Sequence, residues 1–192
     1  MFDGNKCWPI LITDIHKISS VRGNNWNIGK NGELPWQHIK EDMKVFTSLT
    51  TDGNNPGVVM GRNTWESLPE RHRPLKGRVN IVMSRTLKVI DNAFVACDFN
   101  ESISIARQLG IDTLWAIGGN SIYNEFLGAA TEVYINRIDT KIPECDVKFP
   151  FEDLVTFYKR HYCSYVQTDS YNFTMEKWLW DVNNVKPYCN KG

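Results

Sequence analysis

Short apolar runs alternate with helix-spaced stretches along most of the chain. Pro9 to Thr13, Val58 to Met60, Val79 to Met83, Phe94 to Ala96, Thr113 to Ile117 and Val133 to Ile138 are brief and mainly apolar. Runs of that length and composition read as buried strands. Between them, a short helix follows Gly61-Arg62-Asn63-Thr64 and ends by Pro69. Ser102 to Leu109 has helical spacing and stops at Gly110, and Asn120 to Leu127 is a helix closed by Gly128. Two β-like stretches, Val155 to Tyr162 and Tyr171 to Trp180, then come in succession. The alternation predicts an α/β fold with a doubly wound, mostly parallel sheet, and the final pair an antiparallel hairpin.

One helix carries a residue that its pattern does not explain. A polar loop, Gly29 to Glu33, runs into Leu34-Pro35-Trp36, and Pro35 suits a loop-to-helix junction. Beyond it Ile39, Phe46 and Leu49 share one side of a helical wheel, flanked by Met43 and Val45. Lys40, Glu41, Lys44, Thr47 and Ser48 take the other side, yet Asp42 projects from the apolar side. A carboxylate buried alone is costly. Either this helix edge is solvated, or Asp42 meets a cationic, hydrogen-bonding ligand.

Composition narrows the classes. The chain has 192 residues, room for one domain with a sizeable core, expected over 1–180 with a polar tail over 181–192. Twenty-two basic residues balance 22 acidic ones, so nothing points to general nucleic-acid or anionic-membrane binding. No apolar run is long enough for a membrane span, and the start does not resemble a secretory signal. Five scattered cysteines (Cys7, Cys97, Cys145, Cys163, Cys189) form no C-x-x-C pair, and His16, His38, His72 and His161 show no metal-ligand spacing. A reduced, cytoplasmic protein without a metal is the expectation.

In such a sheet, ligands bind beyond the carboxyl ends of the strands. Three of those ends suit an anion. Gly61 to Thr64 sets a basic side chain and free N–H groups at a helix start, Ser84-Arg85-Thr86 offers two hydroxyls and a guanidinium, and Gly118-Gly119 admits close backbone approach. Each alone has an ordinary explanation as a turn or solvated surface. Together they suit a long, multiply phosphorylated ligand such as a dinucleotide, a 2′-phosphate in particular, although neither G-x-G-x-x-G nor a P-loop is present. The basic loop Arg71, His72, Arg73, Lys76, Arg78 reads first as a solvated face, but an arginine abutting a strand could grip a carboxylate bidentately.

IGKNGELPW (Ile28 to Trp36), VVMGRNTWESLPERHRPLKGRVNIVMSRTL (Val58 to Leu87) and WAIGGNSIY (Trp115 to Tyr123), supported by ECDVKFP (Glu144 to Pro150), resemble dihydrofolate reductase in order and spacing. The resemblance runs from the first strand to about Lys177, and the last motif and the long loop before Gly29 look more like protozoal or viral members. It implies a single central sheet of eight strands with about four flanking helices, NADPH as hydride donor and 7,8-dihydrofolate as acceptor, with antifolates as inhibitors. It assigns catalysis to Asp42, Leu34, Trp36 and Tyr123, with Leu34 and Trp36 in a lid over the nicotinamide. Asp42 then pairs with N3 and the 2-amino group of the pterin. Ile12 or Thr13, Met43, Phe46, Ser67, Leu68, Leu75, Ile117 and Asn136 line the substrate, and Arg78 holds the glutamate α-carboxylate. Ile28, Gly29, Gly61, Arg62, Asn63, Thr64, Ser84, Arg85, Thr86, Gly118, Gly119, Asn120, Ser121, Ile122 and Tyr123 match the cofactor track, with a cis bond at Gly118-Gly119.

The chain departs from the family's pattern at two places. Asn136 stands where a threonine is usual, and the first strand has Ile12 or Thr13 where a small residue is usual. These departures support an alternative, a non-catalytic binding protein that keeps the fold and the pteridine or NADPH site. A pteridine or pyrimidinone reductase on the same scaffold is another, which the Arg78 clamp disfavours. The family also includes proteins joined to thymidylate synthase, so fusion or association with that enzyme is within the expectation.

Overall fold

The strands assemble outward from β3 (Gly57–Gly61), whose Val58, Val59 and Met60 are fully buried. β3 pairs in parallel with β4 (Val79–Met83) on one side and β6 (Leu114–Ala116) on the other. β5 (Phe94–Ala96) extends the sheet beyond β4, again in parallel. β1 (Ile10–Lys17) lies between β6 and β7 (Glu132–Asp139), parallel to both. β10 (Asn172–Trp180) and β9 (Tyr158–Val166) complete the sheet antiparallel. The order is β5-β4-β3-β6-β1-β7-β10-β9, an eight-stranded mixed sheet. This computed structural model describes residues 10–17, 26–30, 39–139, 147–168, 172–181 and 183, with the backbone alone given for 10–17, Asn27 and Asp139.

Five α-helices are present among the described residues: α1 (Lys40–Thr50), α2 (Arg62–Ser67), α3 (Phe99–Gln108), α4 (Asn120–Leu127) and α5 (Phe151–Phe157). None is long and apolar enough to cross a membrane. α3 starts three residues before the predicted Ser102. Asp98 accepts the Glu101 N–H at 2.9 Å, while the Glu101 carboxylate accepts the Cys97 N–H at 2.6 Å. These caps satisfy N–H groups that lack helical partners.

The tail corrects the predicted strand over Val155 to Tyr162, because its first three residues belong to α5. Pro150 precedes that helix, and Glu152 and Asp153 in its first turn suit the positive end of the helix dipole. Packing fixes the outcome. Phe151 stacks on Trp26 at 3.9 Å between ring centroids, and Phe157 stacks on Trp180 at 5.6 Å. The single-sheet expectation is also corrected, since β2 (Asn27–Gly29) and β8 (Val147–Lys148) form a separate two-stranded ribbon.

The largest apolar cluster includes Val59, Ile81, Leu114, Phe126, Leu127 and Ile135. A second gathers Phe46, Val58, Met60, Trp65, Val82 and Trp115, with Leu68, Leu75 and Ile117 packed against it. The two clusters take alternate residues of β3 and β4, as the period of two requires. With both faces covered, these runs are nearly continuous in the sequence; the exception, buried Asn80, accepts the Leu75 N–H and donates to the Leu75 and Arg78 carbonyls, each at 2.9 Å.

Candidate active site

β4, β3 and β6 are neighbours and parallel, so their carboxyl ends open side by side on one edge of the sheet. That edge holds all three anion-friendly segments. Arg62 Nη1 donates to Thr86 Oγ1 at 3.2 Å, joining the ends of β3 and β4. The Gly61 N–H donates to the Gly118 carbonyl at 2.7 Å, joining the ends of β3 and β6. The Ser84 hydroxyl accepts from the Leu87 N–H at 3.0 Å and folds its loop into a turn. Arg85 stands exposed beside it.

The peptide bond between Gly118 and Gly119 is cis, and Gly118 has φ +104°. A Cβ at Gly118 would lie 2.8 Å from the Tyr123 hydroxyl, so a larger residue there would have to displace the tyrosine ring. Gly119 opens α4, and Thr64 Oγ1 lies 3.6 Å from where a Cβ on Gly119 would be. Ile122 packs beneath Gly61, which leaves α4 pointing its amino end at this edge. Hydroxyls, a guanidinium and a helix start form a donor set fitted to a phosphorylated ligand. Arg62 is partly engaged already, since its Nε pairs with Glu66 at 2.7 Å. Asn63 and Ser121 are exposed, and Asn120 is half-buried with its carbonyl accepting from Asn124.

The second half of the site is one face of α1. Asp42, Phe46 and Thr50 are its buried residues, each four positions from the next. Residues so spaced lie one above another on a helix. At the amino end, Asn136 Nδ2 donates to Asp42 Oδ1 at 2.5 Å, and both residues are buried. Asp42 is therefore buried, and the solvated-edge explanation falls. At the other end, Arg78 donates to the Thr50 hydroxyl, which itself donates to the Phe46 carbonyl at 2.7 Å.

Arg78 also lies over the Phe46 ring, 5.4 Å from its centroid, and its Nε donates to the Lys76 carbonyl at 3.2 Å. Burial pulls its guanidinium below the usual arginine value. None of the ion pairs among the described residues includes it. A partly desolvated cation held by neutral groups suits an incoming carboxylate.

Of the predicted substrate residues, the structure brings together Asp42, Phe46, Leu68, Leu75, Arg78, Ile117 and Asn136. Met43 is 37% exposed on the flank of α1. Ser67 is exposed, with its hydroxyl donating back to the Thr64 carbonyl at 2.8 Å. Leu34 and Trp36 lie outside the described residues, as do the side chains of Ile12 and Thr13. Ile28 and Gly29 belong to the ribbon strand β2. Thr50 is a site residue that the sequence reading passed over; its signal was the Asp42-Phe46-Thr50 spacing.

A family model described as Dihydrofolate reductase matches residues 15–179. The chain is 36% identical over 157 residues to the dihydrofolate reductase of Sus scrofa, covering 76% of this chain and 84% of that protein. It is 38% identical over 141 residues to the viral dihydrofolate reductase of Saimiriine herpesvirus 2, covering 65% and 66%. It is also 32% identical over 176 residues to the bifunctional dihydrofolate reductase-thymidylate synthase of Glycine max. That match takes in 83% of this chain and 33% of the longer protein.

Proposed function

The chain belongs to the dihydrofolate reductase family of oxidoreductases, and from that premise we propose that it reduces 7,8-dihydrofolate to 5,6,7,8-tetrahydrofolate with NADPH. The observation that carries the proposal is the buried ladder of α1. Asp42 and Thr50 are eight residues apart, roughly 12 Å along the axis. The ladder sets an anion for the pterin at one end and, through Thr50, the Arg78 cation for the glutamate carboxylate at the other. Phe46 lies between them with Leu68, Leu75 and Ile117 in its cluster, an apolar wall for the rings in the middle of the substrate.

The reaction places a hydride on C6 and a proton on N5 of the pterin. NADPH, when bound, supplies the hydride. Gly61 to Thr64, Ser84 to Thr86 and Gly118 to Tyr123 would hold it, with Arg85 on the 2′-phosphate. Asp42 is the one carboxylic acid among the residues assigned to the substrate. It faces N3 and the 2-amino group in this reading, so it orients the ring and its charge favours protonation at N5. The proton itself comes from water. The apolar wall around Phe46 keeps the rest of the pocket dry and strengthens the field of Asp42.

The same reading makes the chain a cytoplasmic target for antifolates and a source of one-carbon carriers for thymidylate and purine synthesis. The match to a bifunctional relative supports work beside thymidylate synthase, whether fused or associated. The test is the loss of NADPH absorbance on adding dihydrofolate to the purified chain. Oxidation that depends on both reactants supports the proposal, and a folded chain that binds dihydrofolate without oxidising NADPH supports the non-catalytic alternative instead.

A further inference from the structure

Leu68 and Leu75 both pack in the apolar cluster that walls the substrate, and the chain between them leaves that wall and returns to it. The excursion holds a short 3-10 turn over Glu70–His72. The His72 N–H donates to the Pro69 carbonyl at 2.8 Å, and the Arg73 N–H donates to the Glu70 carbonyl at 3.0 Å. Buried Asn80 bonds to the backbones of Leu75 and Arg78, and so fixes the returning chain against the carboxylate clamp. Gly77 reaches the end of α1, with Thr51 Cγ2 3.4 Å from where its Cβ would be. The loop is therefore a rim of the substrate pocket at its Arg78 end.

The charge of this rim is one-sided. From Leu68 to Arg78 the sequence sets Arg71, Arg73, Lys76 and Arg78 against one acid, Glu70, in a chain whose basic and acidic residues balance. Glu70 is 95% exposed and approaches Arg73 only to 3.9 Å. Arg71 and Lys76 are exposed and join none of the ion pairs among the described residues. The one side-chain partner of Arg71 among those residues is His72, whose Nε2 accepts from its Nε at 3.3 Å. Like charges gathered on one loop repel one another, and an anion laid across them relieves that repulsion.

The substrate assigned to this site ends in a glutamate with two carboxylates, and Arg78 takes one of them. We propose that the rim from Arg71 to Lys76 binds what continues from the other, namely the γ-carboxylate and further glutamates joined to it in γ-linkage. The proposal rests on the reading that Arg78 holds the α-carboxylate, which leaves the γ-carboxyl as the point from which the tail extends outward. Each added glutamate brings one more negative charge. Arg71, Arg73 and Lys76 supply more positive charge than a single γ-carboxylate employs. The preferred substrate is then dihydrofolate with an oligo-γ-glutamyl tail, its pterin read by α1 and its tail by the rim. Contacts at so exposed a surface are weak one by one and are screened by salt. The rim therefore acts on KM and not on the chemical step.

The experiment measures KM for dihydrofolate carrying one glutamate and carrying three, at low and high salt. Wild type should favour the triglutamate by about fivefold at low ionic strength, the scale of two exposed ion pairs. Near 1 M salt, where charges act over only about 3 Å, the preference should fall below about twofold. Arg71→Gln combined with Lys76→Gln should bring the two KM values within about twofold of each other. Lys76→Glu, a reversal at one exposed position, should narrow the gap as well and serves where the double variant does not fold. Arg107→Gln makes the same kind of charge change on exposed α3, which packs in the other apolar cluster, and should keep the full preference. Equal KM values in wild type overturn the proposal. So does a preference that survives in the folded rim variants, because the tail then lies elsewhere, or one that disappears in Arg107→Gln, because net charge and not the rim then sets it. Turnover of the monoglutamate separates the two levels: where it is present, those outcomes remove the rim alone, and a folded chain that turns over neither substrate loses the reading beneath and the rim with it.

Discussion

The hydroxyl of Thr50 accepts a hydrogen bond from the Arg78 guanidinium and donates its own hydrogen to the Phe46 carbonyl, 2.7 Å away. Thr50 is fully buried, so this bond orients the arginine without water in competition. Thr50→Val keeps the shape and removes the hydroxyl. The KM for dihydrofolate should rise about fivefold, the scale of one hydrogen bond near 1 kcal/mol, with kcat little changed. Thr50→Ser should restore it, and a substrate lacking the glutamate should not notice either change. Arg78→Lys should raise KM further, because the planar fork is lost while the charge stays. If the truncated substrate suffers equally, Thr50 and Arg78 support the fold and not the substrate tail.

Arg85 is the exposed guanidinium on the cofactor edge, and Arg62 beside it is already paired with Glu66. Arg85→Ala should weaken NADPH by about 1–3 kcal/mol, the range for a lost charge-assisted contact, and barely alter NADH. Dissociation constants for the two dinucleotides decide it. Equal losses would remove Arg85 from the 2′-phosphate.

Much of this was legible where local pattern and tertiary context agree. Val79 to Met83 and Asn120 to Leu127 match their observed elements because a buried strand and a glycine-bounded helix each declare themselves within a few residues. Asp42 stood out because it broke the pattern around it, and its burial supports the sharper of the two sequence readings. Other features depend on partners far along the chain. Val155-Thr156-Phe157 has β-like composition, yet α5 forms because its aromatic neighbours can stack on Trp26 and Trp180. β2 and β8 are too short for any periodicity. The contact between Thr50 and Arg78 spans 28 positions, so nothing local to α1 foretells it. Ser67 carried no mark that its hydroxyl is turned back to its own helix.

Asp112 gives a pH test of the fold apart from the site. Its Oδ2 accepts the N–H groups of Asn54 at 2.7 Å and Asn55 at 3.0 Å, tying down the loop that feeds β3. Burial by itself would raise this carboxyl, but the backbone N–H groups of Asn55, Asn54 and Thr113 outweigh it and hold the pKa below the ordinary value. A depressed folded pKa adds stability that is complete above the unfolded value of about 3.9 and is lost as pH falls through the folded value. Asp112→Asn should therefore cost about 1 kcal/mol at neutral pH, and the gap from wild type should narrow as pH falls below the unfolded value. Urea unfolding across that range measures it, and a gap that stays constant would exclude the charge as its cause.

Asp42→Asn bears on the whole mechanism. The substitution keeps the shape, and Asn136 Nδ2 still finds an oxygen to donate to, but the negative charge is gone. Turnover at neutral pH should fall by orders of magnitude, because nothing else among the assigned substrate residues supplies an anion to favour protonation at N5. Stability should hold or rise, since a carboxylate 3% exposed is a liability without its ligand. NADPH affinity should change little, because the cofactor edge is built on the ends of β3, β4 and β6 and not on α1. As pH falls, the variant should regain part of its activity, since acid supplies pterin already protonated at N5 that no longer needs the carboxylate's field. The measurement is kcat against pH for both proteins, with circular dichroism to establish folding. A folded Asp42→Asn enzyme with near wild-type turnover at pH 7 would sink this mechanism, and one whose activity stays flat as pH falls would leave Asp42 a binding role only.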